Sequence, residues 1–198
     1  SVDHCIEALC QLSIPAGRAT PYGDGLAIAG LAMLSRGLRR CKEAPSDLHA
    51  RLQCQLGSFF AVQALRSNRA GASHAIGHVL GGTLGVAHGH TSCVMLPSVL
   101  CWSAADTQSA TRQEAVSFAL GRPGVAAADA VRELVVSLGL PSTLMEVGVK
   151  DKDFELIARR AMEDPGMKDN PRHVRDWQQV MEILRLAAGG GPMGGARL

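Results

Sequence analysis

His74, His78, His88 and His90 lie in one apolar, glycine-rich stretch, Ala72-Ser-His-Ala-Ile-Gly-His-Val-Leu-Gly-Gly-Thr-Leu-Gly-Val-Ala-His-Gly-His90. A separation of four residues stacks His74 and His78 on the same face of a helix. Gly81-Gly82 and then Gly85 let the chain leave that helix and carry His88 back toward the first two rings. Imidazoles converging in this way can hold a divalent metal through neutral ring nitrogens, or pass protons to and from a carbonyl oxygen. A lone histidine among small apolar residues is ordinarily a core residue with one ring nitrogen satisfied. Four in so short a stretch, two of them at helical spacing, tip the reading toward chemistry.

These rings must be positioned by helices. Helical periodicity recurs along the chain and strand alternation does not, so an all-α, multi-helix domain is expected over residues 1–188. A first helix over 2–13 is ended by Pro15 and Gly17. A second opens at Pro21 and Asp24, with Leu26, Ala29, Leu31, Leu34 and Leu38 as its stripe. Pro45-Ser46-Asp47 caps a third over 47–67, with Leu48, Leu52, Leu56, Phe59 and Phe60 expected to face inward. The segment carrying His74 and His78 is apolar nearly all round, which predicts a central helix buried by the others. Further helices are expected over 90–103, with Pro97 a kink or first-turn proline, and over 107–120, 125–138, 151–162 and 173–188. Residues 189–198, rich in Gly and without an apolar period, read as a disordered tail.

The histidine stretch, running on into Val94-Met-Leu-Pro-Ser-Val99, resembles the signature of the iron-containing alcohol dehydrogenase family. Within it, His78-Val-Leu-Gly-Gly-Thr83 is most similar to the maleylacetate reductase branch. Val2-Asp-His-Cys-Ile-Glu-Ala-Leu9 is similar to the family's helix bearing an earlier metal-ligand histidine, here His4. Asp169-Asn-Pro-Arg172 is similar to the Asn-Pro-Arg element near the C-terminus of the reductase branch. The resemblance implies the C-terminal helical domain of the iron-containing alcohol dehydrogenase and dehydroquinate synthase-like type. In metal-dependent members, an aspartate and three histidines hold the ion; the matching histidines here are His4, His74 and His88. His78 matches a histidine near the nicotinamide and the reacting carbon, which implies a proton relay. His90 matches no ligand and is expected to be a local hydrogen-bonding residue.

The aspartate's counterpart would stand one turn before His4, at a position preceding Ser1. Asp3 does not replace it easily, because adjacent helical residues point about 100° apart. The same imidazoles could therefore bind Fe²⁺ or Zn²⁺, or meet a carboxylated substrate directly, with Arg172 as a partner for its carboxylate. The function implied is the C-terminal half of a nicotinamide-dependent oxidoreductase reducing an oxo-carboxylate carbonyl of the maleylacetate type with NAD(P)H. A metal-dependent alcohol dehydrogenase and a non-catalytic helical module are the alternatives. Neither Gly81-Gly82 nor Gly189-Gly190-Gly191 follows a predicted strand, so no cradle for a cofactor pyrophosphate is expected within this chain. The dinucleotide-binding domain is expected as an N-terminal partner, and residues 1–198 alone are expected to be inactive.

Composition narrows the remaining classes. A net charge of +2 makes no electrostatic case for nucleic acid, and aromatics at 4% suit close helix packing. No apolar run reaches the roughly 18 residues of a membrane span. Six cysteines without a Cys-x-x-Cys pair argue against a zinc ribbon and suit a reducing cytoplasm. A small-molecule substrate and a homodimer are expected.

Overall fold

The computed structural model describes residues 1–12 and 19–189. Pro15 and Gly17, named above as ending the first helix, and residues 190–198 of the expected tail lie outside these residues. The elements are α1 (Val2–Cys10), α2 (Pro21–Glu43), α3 (Leu48–Asn68), α4 (Ala72–Leu84), α5 (His88–Ser103), α6 (Thr107–Ala119), α7 (Ala127–Leu138), α8 (Phe154–Ala161) and α9 (Trp177–Gly189), with short 3₁₀ turns between α7 and α9. No strand occurs among the described residues, as the periodicity predicts.

Local chemistry accounts for the helix ends. Thr20 caps α2 by accepting from the Gly23 amide, with Pro21 in the first turn where a missing N–H is harmless. Asp47 and Asp106 cap α3 and α6 in the same manner. Gly85 and Gly139 end α4 and α7 in the left-handed conformation, which only glycine adopts without strain. Gly81 and Gly82 stay inside α4, so the release of the chain falls on Gly85 alone.

Two apolar cores form. One joins α1, α2, α3, α6 and α7; the other joins α4, α8 and α9. Helix α5 lies between them, giving Leu96 and Leu100 to the first and Val94, Met95, Val99 and Trp102 to the second. The central helix is therefore α5 and not α4, as the apolar composition had suggested. Helix α4 is buried through Gly77 and exposes His78, Gly82 and Leu84. Its glycines contribute little side chain to bury. Pro97 lies in the interior of α5, not in its first turn.

The expected inward face of α3 is also corrected. Leu48, Leu52, Leu56 and Phe59 are exposed, and Phe60 is half-buried. The buried positions are Ala50, Gly57, Ala61, Ala64 and Asn68. Glycines explain the inversion, because α2 and α3 cross nearly backbone to backbone. A Cβ on Gly57 would stand 2.8 Å from Leu34 Cγ, and one on Gly37 would stand 2.8 Å from Cys54 Sγ. Close approach needs the small stripe inward and turns the large one out. Asn68 closes this region, donating to the Ala8 carbonyl and to Asp24 and accepting from Thr20. Arg112 then clamps Asp24 through two hydrogen bonds of 2.9 and 2.7 Å.

Candidate active site at a cluster of three imidazoles

His4 comes from α1, His74 from the first turn of α4 and His88 from the first position of α5. The structure brings one ligand atom from each within 4.8 Å of the others. His4 stacks on His74 with ring centroids 4.9 Å apart, and His88 meets His74 edge-on at 6.2 Å. Burial grades across the group: His74 is buried, His4 half-buried and His88 exposed. The site thus opens to solvent on one side.

His74 is held from behind by two carboxylates. Its Nδ1 donates to Glu7 Oε2 at 2.6 Å and lies 3.6 Å from Asp3 Oδ2. The same Glu7 carboxylate accepts from the amides of Gly71 and Ser73, at 2.9 and 2.8 Å. A buried anion therefore sits at the N-terminus of α4, where free amides and the helix dipole favour it. Asp3 accepts from Ser73 Oγ at 2.9 Å. Asn170 joins the same helix start by accepting from the Ala72 amide, so the Asn-Pro-Arg element anchors α4.

The charges oppose one another across the cluster. Burial by itself would lower the His74 pKa, but the hydrogen bond to Glu7 and the charge of Asp3 outweigh it and hold the ring up to about 9. Burial pushes His4 down to about 4, with the neighbouring His74 adding to the effect. Burial and the neighbouring Glu7 raise the Asp3 carboxyl above the usual carboxylate range.

The donor set fits a divalent cation. His74 Nε2 and His4 Nδ1 are both buried without a hydrogen-bond partner. With Nδ1 committed to Glu7, Nε2 is the atom that His74 leaves for a ligand. A carboxylate behind a ligating histidine is the usual device for fixing its tautomer and raising its basicity. Three imidazoles with one open side also match the pattern of catalytic zinc sites.

His78 stands one turn along α4, its ring centroid 6.2 Å from that of His74, and is exposed. Its Nδ1 donates to Asp164 Oδ2 at 2.8 Å, leaving Nε2 to face solvent or a ligand. His90 is exposed on the first turn of α5 and lies outside the three-ring group. Arg172, expected to meet a substrate carboxylate, packs against Trp102. Its guanidinium stacks 3.7 Å from the indole centroid and donates to the Trp102 carbonyl. The flat cation gains both a ring face and a carbonyl from the last turn of α5.

Two residues of the site, Glu7 and Asp164, escaped the sequence reading, and Asn170 entered it within the Asn-Pro-Arg resemblance without a role of its own. Glu7 follows His4 by three residues, which places both on one face of α1 and could have marked it. Nothing local marks Asp164, which reaches His78 across 86 positions. A cavity of about 460 Å³ opens beside His4 and His88, and no lysine or arginine is among the described residues that line it. No helix among the described residues is long and apolar enough to cross a membrane.

Comparison with known proteins agrees with the helical fold. Residues 1–188 match the sequence profile of the Fe-containing alcohol dehydrogenase family, C-terminal. The chain is 39% identical over 181 residues to Dehydrogenase ALT3 of Alternaria alternata, covering 81% of this chain and 46% of that protein. It is 30% identical to the maleylacetate reductase of Pseudomonas knackmussii, covering 97% and 51%. The crystal structure of the iron-containing alcohol dehydrogenase of Corynebacterium glutamicum superposes with a TM-score of 0.83 at 26% identity, covering 97% and 51%. The chain spans about half the length of the curated relatives it matches. Sequence, helical architecture and the match over almost every residue converge, and this chain belongs to the iron-containing alcohol dehydrogenase family as a counterpart of its C-terminal domain.

Proposed function

We propose that this chain is the metal- and substrate-side half of a nicotinamide-dependent oxidoreductase that interconverts an alcohol and its carbonyl compound. The observation that carries the reading is the trio His4, His74 and His88, with two buried ring nitrogens lacking partners. These three residues would hold a divalent iron or zinc ion. Bound there, such an ion supplies a Lewis acid that polarises the substrate oxygen. Glu7 keeps the Nδ1 proton of His74 turned away from the site, so that Nε2 is the atom facing an ion, which would take the place of the proton there. Asp164 does the same for His78, whose Nε2 is then free to give the substrate oxygen a proton or take one back. Hydride would pass to or from NAD(P)(H) bound mainly by an N-terminal domain outside this chain.

The maleylacetate-type reading is supported by the His78-Val-Leu-Gly-Gly-Thr83 and Asn170-Pro-Arg172 wordings shared with that branch and by the 30% identity to a maleylacetate reductase. Against it stands the stacking of Arg172 on Trp102, which already gives that guanidinium a ring face and a carbonyl. We therefore assign an uncharged alcohol or aldehyde as the substrate type. The test is the full-length enzyme purified without chelators, assayed by elemental analysis and by oxidation of the dihydronicotinamide. One divalent ion per chain, with reduction of simple aldehydes and loss of both in His74→Ala, is the expected result. A metal-free enzyme that reduces a 4-oxo-carboxylate and ignores simple aldehydes would overturn it.

A further inference from the structure

The close crossing of α2 and α3 brings two cysteines together. Cys41 stands near the C-terminal end of α2 and Cys54 in the second turn of α3, with their sulfur atoms 3.9 Å apart. Gly37, one turn before Cys41 on the same face of α2, leaves room for the Cys54 sulfur. A Cβ there would stand 2.8 Å from Cys54 Sγ and 3.3 Å from the Cys54 amide nitrogen. Both cysteines are free thiols and only half-buried, unlike Cys5 and Cys10. A small reagent can therefore reach them while the packed backbones hold them side by side. The surroundings are cationic: residues 36–51 carry five arginines and lysines against Glu43 and Asp47. Lys42 and Arg51 donate to the carbonyls of Ser137 and Pro45, bonds that leave their charges unneutralised.

We propose that Cys41 and Cys54 form a reversible disulfide that clamps α2 to α3, made by exchange with a small anionic disulfide of the oxidised-glutathione class. The Cys41 thiolate attacks one sulfur of that disulfide, and one glutathione thiolate leaves. The Cys54 thiol then gives its proton to solvent and attacks the Cys41 sulfur, expelling the second glutathione thiolate. Two protein thiols are oxidised and one disulfide is reduced to two thiols; excess reduced glutathione runs both steps backward. Cys54 acts second because burial and its hydrogen bond with Cys41 push its thiol up to about 11. Bond formation brings the sulfurs about 2 Å closer, a movement that falls to rotation about the two Cα–Cβ bonds. The clamp bears on the support of the imidazole site. Helix α1, which carries His4 and Glu7, packs on the same two helices: a Cβ on Gly30 of α2 would stand 3.1 Å from both Cys5 Sγ and the Gly57 carbonyl oxygen.

The test equilibrates the native full-length enzyme with mixtures of reduced and oxidised glutathione, blocks the remaining thiols and digests with trypsin without reductant. Cleavage after Arg40, Lys42, Arg51 and Arg66 puts Cys41 and Cys54 on separate peptides, so their linkage is read directly by mass. The peptide joining Cys41-Lys42 to residues 52–66 should dominate in the oxidised mixtures and vanish on adding dithiothreitol. Melting followed by circular dichroism is the second readout. The linked form should melt about 4–10 °C above the reduced one, since the bond closes a loop between positions 13 apart. Cys41→Ser and Cys54→Ser should each abolish both the linked peptide and the difference in melting. Glutathione left on either cysteine with no linked peptide would overturn the proposal. So would a linkage that forms only after the protein has been unfolded in urea. A linked protein that melts with the reduced one would show that the bond forms without clamping the helices, which overturns the role assigned to it.

Discussion

Glu7 joins the fold to the chemistry, and its replacement is the sharpest probe of both. Its carboxylate accepts from the Gly71 amide, the Ser73 amide and His74 Nδ1, all in a buried setting. Glu7→Ala leaves three donors at the start of α4 without an acceptor, and Asn170 and Asp3 are already engaged elsewhere. Each unsatisfied buried donor costs about 1–3 kcal/mol, so with partial relaxation the loss should be about 3–5 kcal/mol. In a unit of this size that lowers the melting temperature by roughly 6–20 °C. Glu7→Gln can turn its oxygen toward Gly71 and His74 and sacrifice only the Ser73 amide, for about 1–3 kcal/mol. The assay is denaturation of the full-length enzyme followed by the circular dichroism of its helices. A second readout is affinity for zinc, which should fall about 10–100-fold in Glu7→Gln because the His74 tautomer is held less firmly. A Glu7→Ala protein within about 1 kcal/mol of the unmodified one would refute the role assigned to this carboxylate.

Other outcomes follow from the same contacts. His78→Ala in the full-length enzyme should lower kcat by about 10²–10⁴ with folding intact, whereas His90→Ala should do far less; steady-state kinetics of the pair would expose a mistaken assignment if both effects were small and equal. Gly23→Ala sets a Cβ 2.2 Å from Asn68 Oδ1 and should destabilise by about 1–3 kcal/mol, measurable by urea denaturation. Burial pushes the Cys5 and Cys10 thiols up to about 12 each, so at about pH 8 almost no thiolate is present. Peptide mapping after iodoacetamide treatment should find both unmodified in the native protein and both alkylated after denaturation.

Helix identity was readable from the chain itself, because apolar spacing and capping residues act within a turn or two. Pro21, Asp47 and Gly139 mark ends that short-range hydrogen bonds and backbone conformation dictate. The histidine block was equally legible, since the spacing of His74 and His78 and the left-handed Gly85 that returns His88 are both local. Which face of a helix is buried was not. Leu48, Leu52, Leu56 and Phe59 form a periodic stripe, yet the close glycine-mediated crossing of α2 and α3 buries the small stripe instead. Apolar residues are permitted on surfaces, so periodicity alone cannot choose between two stripes. The carboxylates that set the chemistry came only from tertiary structure. Glu7 reaches His74 across 67 positions and Asp164 reaches His78 across 86. Arg172, named from the Asn-Pro-Arg resemblance and the geometry of its guanidinium, meets the ring of Trp102, 70 positions away in the chain. Short-range chemistry belongs to the sequence, whereas the partner of a long polar side chain depends on which helices the two cores bring together.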